Sequence, residues 1–237
     1  MIKETAKVRL LSFVFPAYNE EQNISKAISR AIEFAQNRNL KYEVIVVDDG
    51  SQDKTRTIIS NEYRNNKMVH LLKNGKNLGY GATLWRGLKA ARGNLIFLND
   101  SDLQFDLNDL DRFLEKIDRY DVVIGYRKKR SEGIMRRINA SGWKLMIRIF
   151  LGMKIKDVDC AFKLFKTKVL NNIKIQSGGA MFSAELIYKI QQNNYRILQL
   201  PVQHFIRQHG KPTGAKPKVI FRAFKELIKF MRNLSNQ

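Results

Sequence analysis

Two carboxylates one residue apart, Asp100 and Asp102, follow the apolar run Leu95–Leu98. Their oxygens can share one hard divalent cation, and Gln104 adds another oxygen two residues on. A cation held there would neutralise a diphosphate, which is chemistry for a phosphorylated donor. By itself the pattern is common in turns. A second acidic loop, Asp48-Asp49-Gly50-Ser51, closes the apolar run Tyr42–Val47. It reads either as a polar turn whose Ser51 or Asp53 caps the next helix, or as carboxylates that accept hydrogen bonds from a nucleobase N–H and ribose hydroxyls. Asn77-Leu78-Gly79-Tyr80-Gly81 either only tightens a turn or admits a ligand close to the backbone. Neither G-x-x-x-x-G-K-S/T nor G-x-G-x-x-G occurs, which disfavours a P-loop or a dinucleotide site.

The elements that must carry these loops alternate. Apolar, β-branched runs at Val8–Phe15, Tyr42–Val47, Met68–Leu72, Leu95–Leu98 and Val122–Ile124 predict strands. Helical spacing at Asn23–Gln36, Lys54–Tyr63, Gly81–Ala91 and Leu107–Ile117 predicts the helices between them. Such a pattern describes an α/β fold with a mainly parallel sheet and helices on both faces, whose ligands sit beyond the carboxyl ends of the strands. The acidic loops fall at those ends.

Composition sets the outer bounds. At 237 residues, 44% hydrophobic and 27% charged, the chain is globular rather than disordered, and no apolar run approaches a membrane span. Met1-Ile2-Lys3-Glu4 lacks the apolar core of a signal peptide, and a single cysteine, Cys160, excludes an internal disulfide framework, so a reducing cytoplasm is expected. The net charge is +21, concentrated in two segments. Arg127–Lys156 holds ten Lys or Arg against one Glu, and Lys211–Gln237 holds seven against one. Concentrated positive charge selects a polyanionic partner: nucleic acid, anionic lipid or a phosphorylated substrate. Carboxylates clustered at strand ends repel nucleic acid, which disfavours the first. In Lys218–Arg232, Ile220, Phe224, Leu227 and Met231 share one helical face and Arg222, Lys225, Lys229 and Arg232 another. That is the pattern of a helix lying in a membrane interface, or of one docked on its own domain with charges outward.

The ordered set of motifs resembles the family 2 glycosyltransferases, and within them the polyprenyl-phosphate branch of which dolichyl-phosphate mannose synthase is the type. The set comprises Pro16-Ala-Tyr-Asn-Glu20, Asp48-Asp-Gly-Ser51, Asn77-Leu-Gly-Tyr-Gly81, Asp100-Ser-Asp-Leu-Gln104 and Gly125-Tyr-Arg127. It continues through Asp157-Val-Asp-Cys-Ala-Phe-Lys163, Glu185, Pro201-Val202 and Arg207-Gln-His-Gly210.

The resemblance implies a Rossmann-like, nucleotide-sugar-binding catalytic domain over residues 1–215, with a basic amphipathic insertion at about 130–156 and a basic C-terminal helix at 216–237. It implies inverting, metal-dependent transfer of a sugar from a GDP- or UDP-linked donor to a polyprenyl phosphate. Pro16, Tyr18, Glu20, Val47, Asp48, Asp49, Asp100 and Ser101 would bind the nucleotide sugar, and Asp100, Asp102 and Gln104 would hold Mg²⁺ or Mn²⁺. Asp102, Arg127, Arg207 and Asp157 would be catalytic, with Arg136, Arg137 and Lys163 on the acceptor phosphate. A lipid phosphate is already anionic and demands no strong base; a saccharide hydroxyl, the alternative acceptor, would need one from Asp157, Asp159 or Glu185. The late motif departs from the family at Thr213, where a lysine is usual, so that Lys211 or Lys216 would have to supply the charge. The expected location is peripheral, on the cytoplasmic face of a membrane, with a membrane-anchored partner subunit or a homo-oligomer left open.

Overall fold

The structure, a computed structural model, describes residues 9–128, 134–179, 181–210 and 217–235. The chain alternates through β1 (Leu10–Ala17), α1 (Ile24–Gln36), β2 (Lys41–Asp48), α2 (Thr55–Glu62), β3 (Val69–Lys73), α3 (Tyr80–Ala90) and β4 (Leu95–Leu98). It continues through α4 (Leu110–Lys116), β5 (Val122–Arg127), α5 (Ile134–Leu151), β6 (Lys163–Lys166), α6 (Phe182–Gln192), β7 (Ile197–Val202) and α7 (Pro217–Ser235). The described strands form one sheet in the order β3-β2-β1-β4-β6-β5-β7. β1 pairs in parallel with both β2 and β4, and β5 with β7, whereas β6 runs antiparallel between β4 and β5.

Period-two alternation divides the core between the two faces of this sheet. Val14, Ile45, Val47, Ile96 and Leu98 turn to the layer of α3, α5, α6 and α7, where they meet Leu84, Ile147, Leu186 and Leu227. Phe13, Phe15, Val44, Val46, Leu95 and Phe97 turn the other way, onto Ile28, Ala31 and Phe34 of α1 and Phe113 of α4. Because the sheet is covered on both sides, its central strands read as unbroken apolar runs. The strand order reverses at β1, whose neighbours are β2 and β4. A crevice opens at such a reversal beyond the carboxyl ends of the strands. Here those ends deliver Pro16–Glu20 and Asn99–Asp102 side by side.

α7 seats only part of the stripe its spacing predicts: Leu227 is buried and half-buried Met231 packs against the core, but Phe224 is not covered, and the Ile220 side chain lies outside the described residues. Ala223, Leu227 and Phe230 are buried, while Phe224 and Ile228 stay exposed. Phe230 packs edge-on against Tyr188 of α6 and Asn233 bonds Gln176, which sets the rotation of the helix. The docked alternative therefore holds for one face, with Arg222, Lys225, Lys229 and Arg232 outward.

Candidate active site

The loop after β4 and the segment after β7 run alongside each other. The Phe205 N–H donates to the Gln104 carbonyl at 2.8 Å, and the Gln104 side-chain amide donates to the Phe205 carbonyl at 3.0 Å. This pairing brings Arg207 over the acidic loop. Its guanidinium lies 2.5 Å from Glu20 and 3.5 Å from Asp102, linking the ends of β1 and β4 through one cation. The hydroxyl of Ser101 donates to the Pro16 carbonyl at 2.9 Å and ties the same two loops below. Leu103, between Asp102 and Gln104, adopts a left-handed backbone at φ 61°, an unfavourable conformation for leucine that the surrounding bonds must maintain.

Asp100 accepts a hydrogen bond from the Tyr80 hydroxyl at 2.9 Å, a partner sequence reasoning missed because both of its readings of Asn77–Gly81 concerned the backbone and neither the Tyr80 side chain. Tyr80 opens α3 immediately after Gly79, whose φ of 96° suits glycine. Asp49 shapes that turn: it accepts from the Leu78 and Gly79 N–H groups at 2.8 and 3.0 Å and from Asn74 at 2.8 Å. The loop is closed from behind by the chain before α6. A Cβ on Gly81 would lie 2.6 Å from Cβ of Phe182 and 2.8 Å from the Gly179 carbonyl. Gly81→Ala is therefore expected to destabilise the protein by about 2 kcal/mol, read by urea unfolding, and to weaken donor binding as Tyr80 is displaced. An unchanged midpoint would mean the α3–α6 contact gives way freely.

Burial raises the pKa of both acids of the cleft. Asp102 is pushed up to about 7, first by desolvation and then by the charge of Asp100, with Arg207 opposing. Asp100 is raised by desolvation, with the Tyr80 hydrogen bond and the more distant Lys163, Arg127 and Arg207 opposing. The buried Oδ1 of neighbouring Asn99 has no hydrogen-bond partner. Among the described residues no group of three or more His, Cys, Asp or Glu is arranged to hold a metal alone. Two carboxylates completed by substrate phosphates are, however, a usual Mg²⁺ or Mn²⁺ site, and Asp100 and Asp102 fit it. Gln104 directs its amide N–H to Phe205 rather than standing free.

The other expected site residues differ in depth and in partners. Val47 has no exposed surface and packs its side chain inside the core. Asp48 is likewise enclosed: it accepts from the Ser51 N–H and from Arg56 at 2.7 Å, fixing the start of α2. Lys163, 1% exposed in β6, donates to the Cys160 carbonyl, and burial pulls its pKa down, with the charges of Asp157, Asp159 and Asp100 opposing. Arg127 and Asp157 face each other in a two-pronged ion pair at 2.7 and 2.9 Å. Glu185 is fully buried, accepting from the Gln176 and Ser177 N–H groups and paired with Lys189 at 2.7 Å. Tyr18 is exposed beside Glu20. The side chains of Arg136 and Arg137, and residues Lys211, Thr213 and Lys216, lie outside the described residues.

This architecture has known counterparts. A glucosyl-3-phosphoglycerate synthase from Mycobacterium tuberculosis, solved with Mn²⁺, uridine diphosphate and glucosyl-3-phosphoglycerate, superposes with a TM-score of 0.68 at 19% identity, over 94% of this chain and 80% of that one. The dodecaprenyl-phosphate galacturonate synthase of Rhizobium johnstonii is 29% identical over 205 residues, 84% of this chain and 60% of its own length. The dolichyl-phosphate beta-glucosyltransferase of Dictyostelium discoideum is 29% identical over 215 residues, 81% of this chain and 65% of its own. The chain thus spans less than two thirds of these curated relatives. The family profile described as glycosyl transferase family 2 matches residues 12–174, which takes in β1 to β6 with both acidic loops. On that match, and with the cleft lying where the strand order reverses, the chain belongs to glycosyl transferase family 2.

Proposed function

We propose that the protein transfers a sugar, with inversion, from a nucleotide sugar to the phosphate of a polyprenyl lipid at an anionic membrane surface. The observation that carries this reading is the convergence of Glu20, Asp102 and Arg207 beside Asp100, at the end of the two central strands. Asp100 and Asp102 would hold Mg²⁺ or Mn²⁺ with the donor diphosphate, and such a cation offsets charge developing on the leaving group. Arg207 presents a planar guanidinium to phosphate oxygens of donor or acceptor. Pro16, Tyr18, Glu20 and Ser101 flank the space for base and ribose, and Asp49 orders the turn that carries Tyr80.

A phosphate acceptor suits this site better than a hydroxyl. Two of the three carboxylates that could serve a hydroxyl as base, Asp157 and Glu185, are committed to Arg127 and to Lys189 with two backbone N–H groups. An anionic lipid phosphate needs no such base. Relatives named for dodecaprenyl and dolichyl phosphate point the same way, and the uridine diphosphate of the M. tuberculosis synthase makes UDP-sugars the first donors to test. Among the described residues no helix is long and apolar enough to cross a membrane. Exposed Leu145, Ile149 and Phe150 on α5 and Phe224 and Ile228 on α7 stand among exposed Lys144, Arg148, Lys225 and Lys229. That mixture suits peripheral attachment to an anionic leaflet, which we place on the cytoplasmic face.

The test is incubation with radiolabelled nucleotide sugars, Mn²⁺ and either undecaprenyl or dolichyl phosphate. Label moving into the organic phase is expected. Label moving only onto added saccharides would replace the lipid phosphate by a sugar hydroxyl as acceptor.

A further inference from the structure

Ile206 is the most exposed large apolar side chain among the described residues, at 74%, and Phe205 before it is 45% exposed. A mobile loop could swing such groups inward, but this segment is fastened. Gln203 donates its N–H to Asp109 at 2.7 Å, Phe205 exchanges two hydrogen bonds with Gln104, and Arg207 bonds the His209 carbonyl at 2.6 Å. His204 completes an antiparallel bridge to Phe105 and stacks edge-on against its ring. The backbone therefore holds Phe205 and Ile206 in water at the residues that immediately precede Arg207. Half-buried Leu103 stands between Asp102 and the paired Gln104, in its left-handed conformation. The cationic end of the cleft is thus bordered by exposed apolar side chains on a segment locked to the neighbouring loop.

A ligand matching both parts has an anionic head joined directly to a hydrocarbon chain. We infer that Phe205 and Ile206, with Leu103 of the neighbouring loop, form the track for the first isoprene units of the lipid phosphate acceptor, its phosphate lying against Arg207. This inference rests on the acceptor class proposed above and adds the residues that read the chain. The apolar surface of the track gains from hydrocarbon and nothing from a sugar, because covering exposed Ile and Phe is favourable only if the covering group is apolar. The contact is confined to the units nearest the phosphate, where the track adjoins the guanidinium.

Short, water-soluble acceptors separate this contact from membrane binding. With a fixed nucleotide sugar and Mn²⁺, the full-length protein is assayed on dimethylallyl phosphate, one isoprene unit, and geranyl phosphate, two units. The wild type is expected to show a lower KM for geranyl phosphate. Ile206→Ser should shrink that KM advantage about tenfold, the scale of one lost apolar side-chain contact, with the loss falling on KM rather than kcat and with Ile206→Leu restoring it. Because Ile206 is exposed, a shift in melting temperature is not expected, which separates the effect from misfolding. A KM ratio unchanged in Ile206→Ser and in Phe205→Ser, in a wild type that does use prenyl phosphates, overturns the track alone. A wild type inert on every prenyl phosphate overturns the acceptor class and the track together.

Discussion

Asp102→Asn is expected to lower transfer by about 1,000-fold or more and, at pH 7.5, to raise the melting temperature of the ligand-free protein by about 5 °C. Both effects have one cause. Asp102, with a side chain 11% exposed, sits beside Asp100 and is pushed up to about 7 by desolvation and by that neighbouring charge. An unfolded aspartate titrates near pH 4. Between about pH 4 and pH 7 the folded protein retains a proton that the unfolded chain has released, so stability falls as pH rises through that window. Above it both states are ionised and the full penalty persists; below it both are protonated and the penalty vanishes. The neutral amide removes the penalty and, with it, half of the carboxylate pair that would grip the cation. The stabilisation should accordingly be present at pH 7.5 and nearly absent at pH 4. Mn²⁺ with a nucleoside diphosphate should raise the melting temperature of the wild type far more than that of the variant. An equal difference at both pH values would show that the effect does not come from ionisation.

Asp157→Leu should be the most destabilising single change in the described cleft region, at about 3–5 kcal/mol or roughly 10 °C. Side-chain exposures of 11% for Arg127 and 5% for Asp157 leave the pair largely removed from water. Deleting the carboxylate removes the two-pronged partner of a largely buried guanidinium that cannot be neutralised by losing its proton. Replacing both, as Arg127→Met with Asp157→Leu, should recover most of the stability, since two apolar groups of similar volume have no charge to desolvate. The double variant also separates roles. If Arg127 additionally serves phosphate, the protein will melt near the wild-type temperature yet turn over slowly; if the pair is only a brace, kcat/KM will return with stability. A double variant as unstable as the single one would mean that the uncompensated charge is not the source of the cost.

The strands and their loops were legible because their signal is local. Val14 and Phe15, or Val46 and Val47, are apolar whichever face each takes, and a parallel sheet covered on both sides demands such runs. The metal-type pair Asp100 and Asp102 is equally visible, being separated by a single residue after a buried strand. The late elements were less so. β6 is four residues, Lys-Leu-Phe-Lys, with charges at both ends, and is a strand because β4 and β5 flank it. β7 contains Pro201, which argues against a strand unless it lies at an edge, as it does here.

Residue types and spacing by themselves determined the α/β alternation, the acidic loops at strand ends, the family and the basic character of two segments, since each follows from neighbours in the chain. Tertiary structure alone decided which of those polar groups face the cleft. Arg207 reaches Glu20 and Asp102 across 187 and 105 positions of sequence. Asp48 and Asp49 are adjacent in sequence yet diverge, one to Arg56 and the other to the turn before α3. Neighbouring residues on a strand point to opposite sides, and what waits on each side is set by elements distant in the chain. That is why the Lys163 side chain, polar in any composition count, ends buried with its ammonium on the Cys160 carbonyl rather than in the solvent.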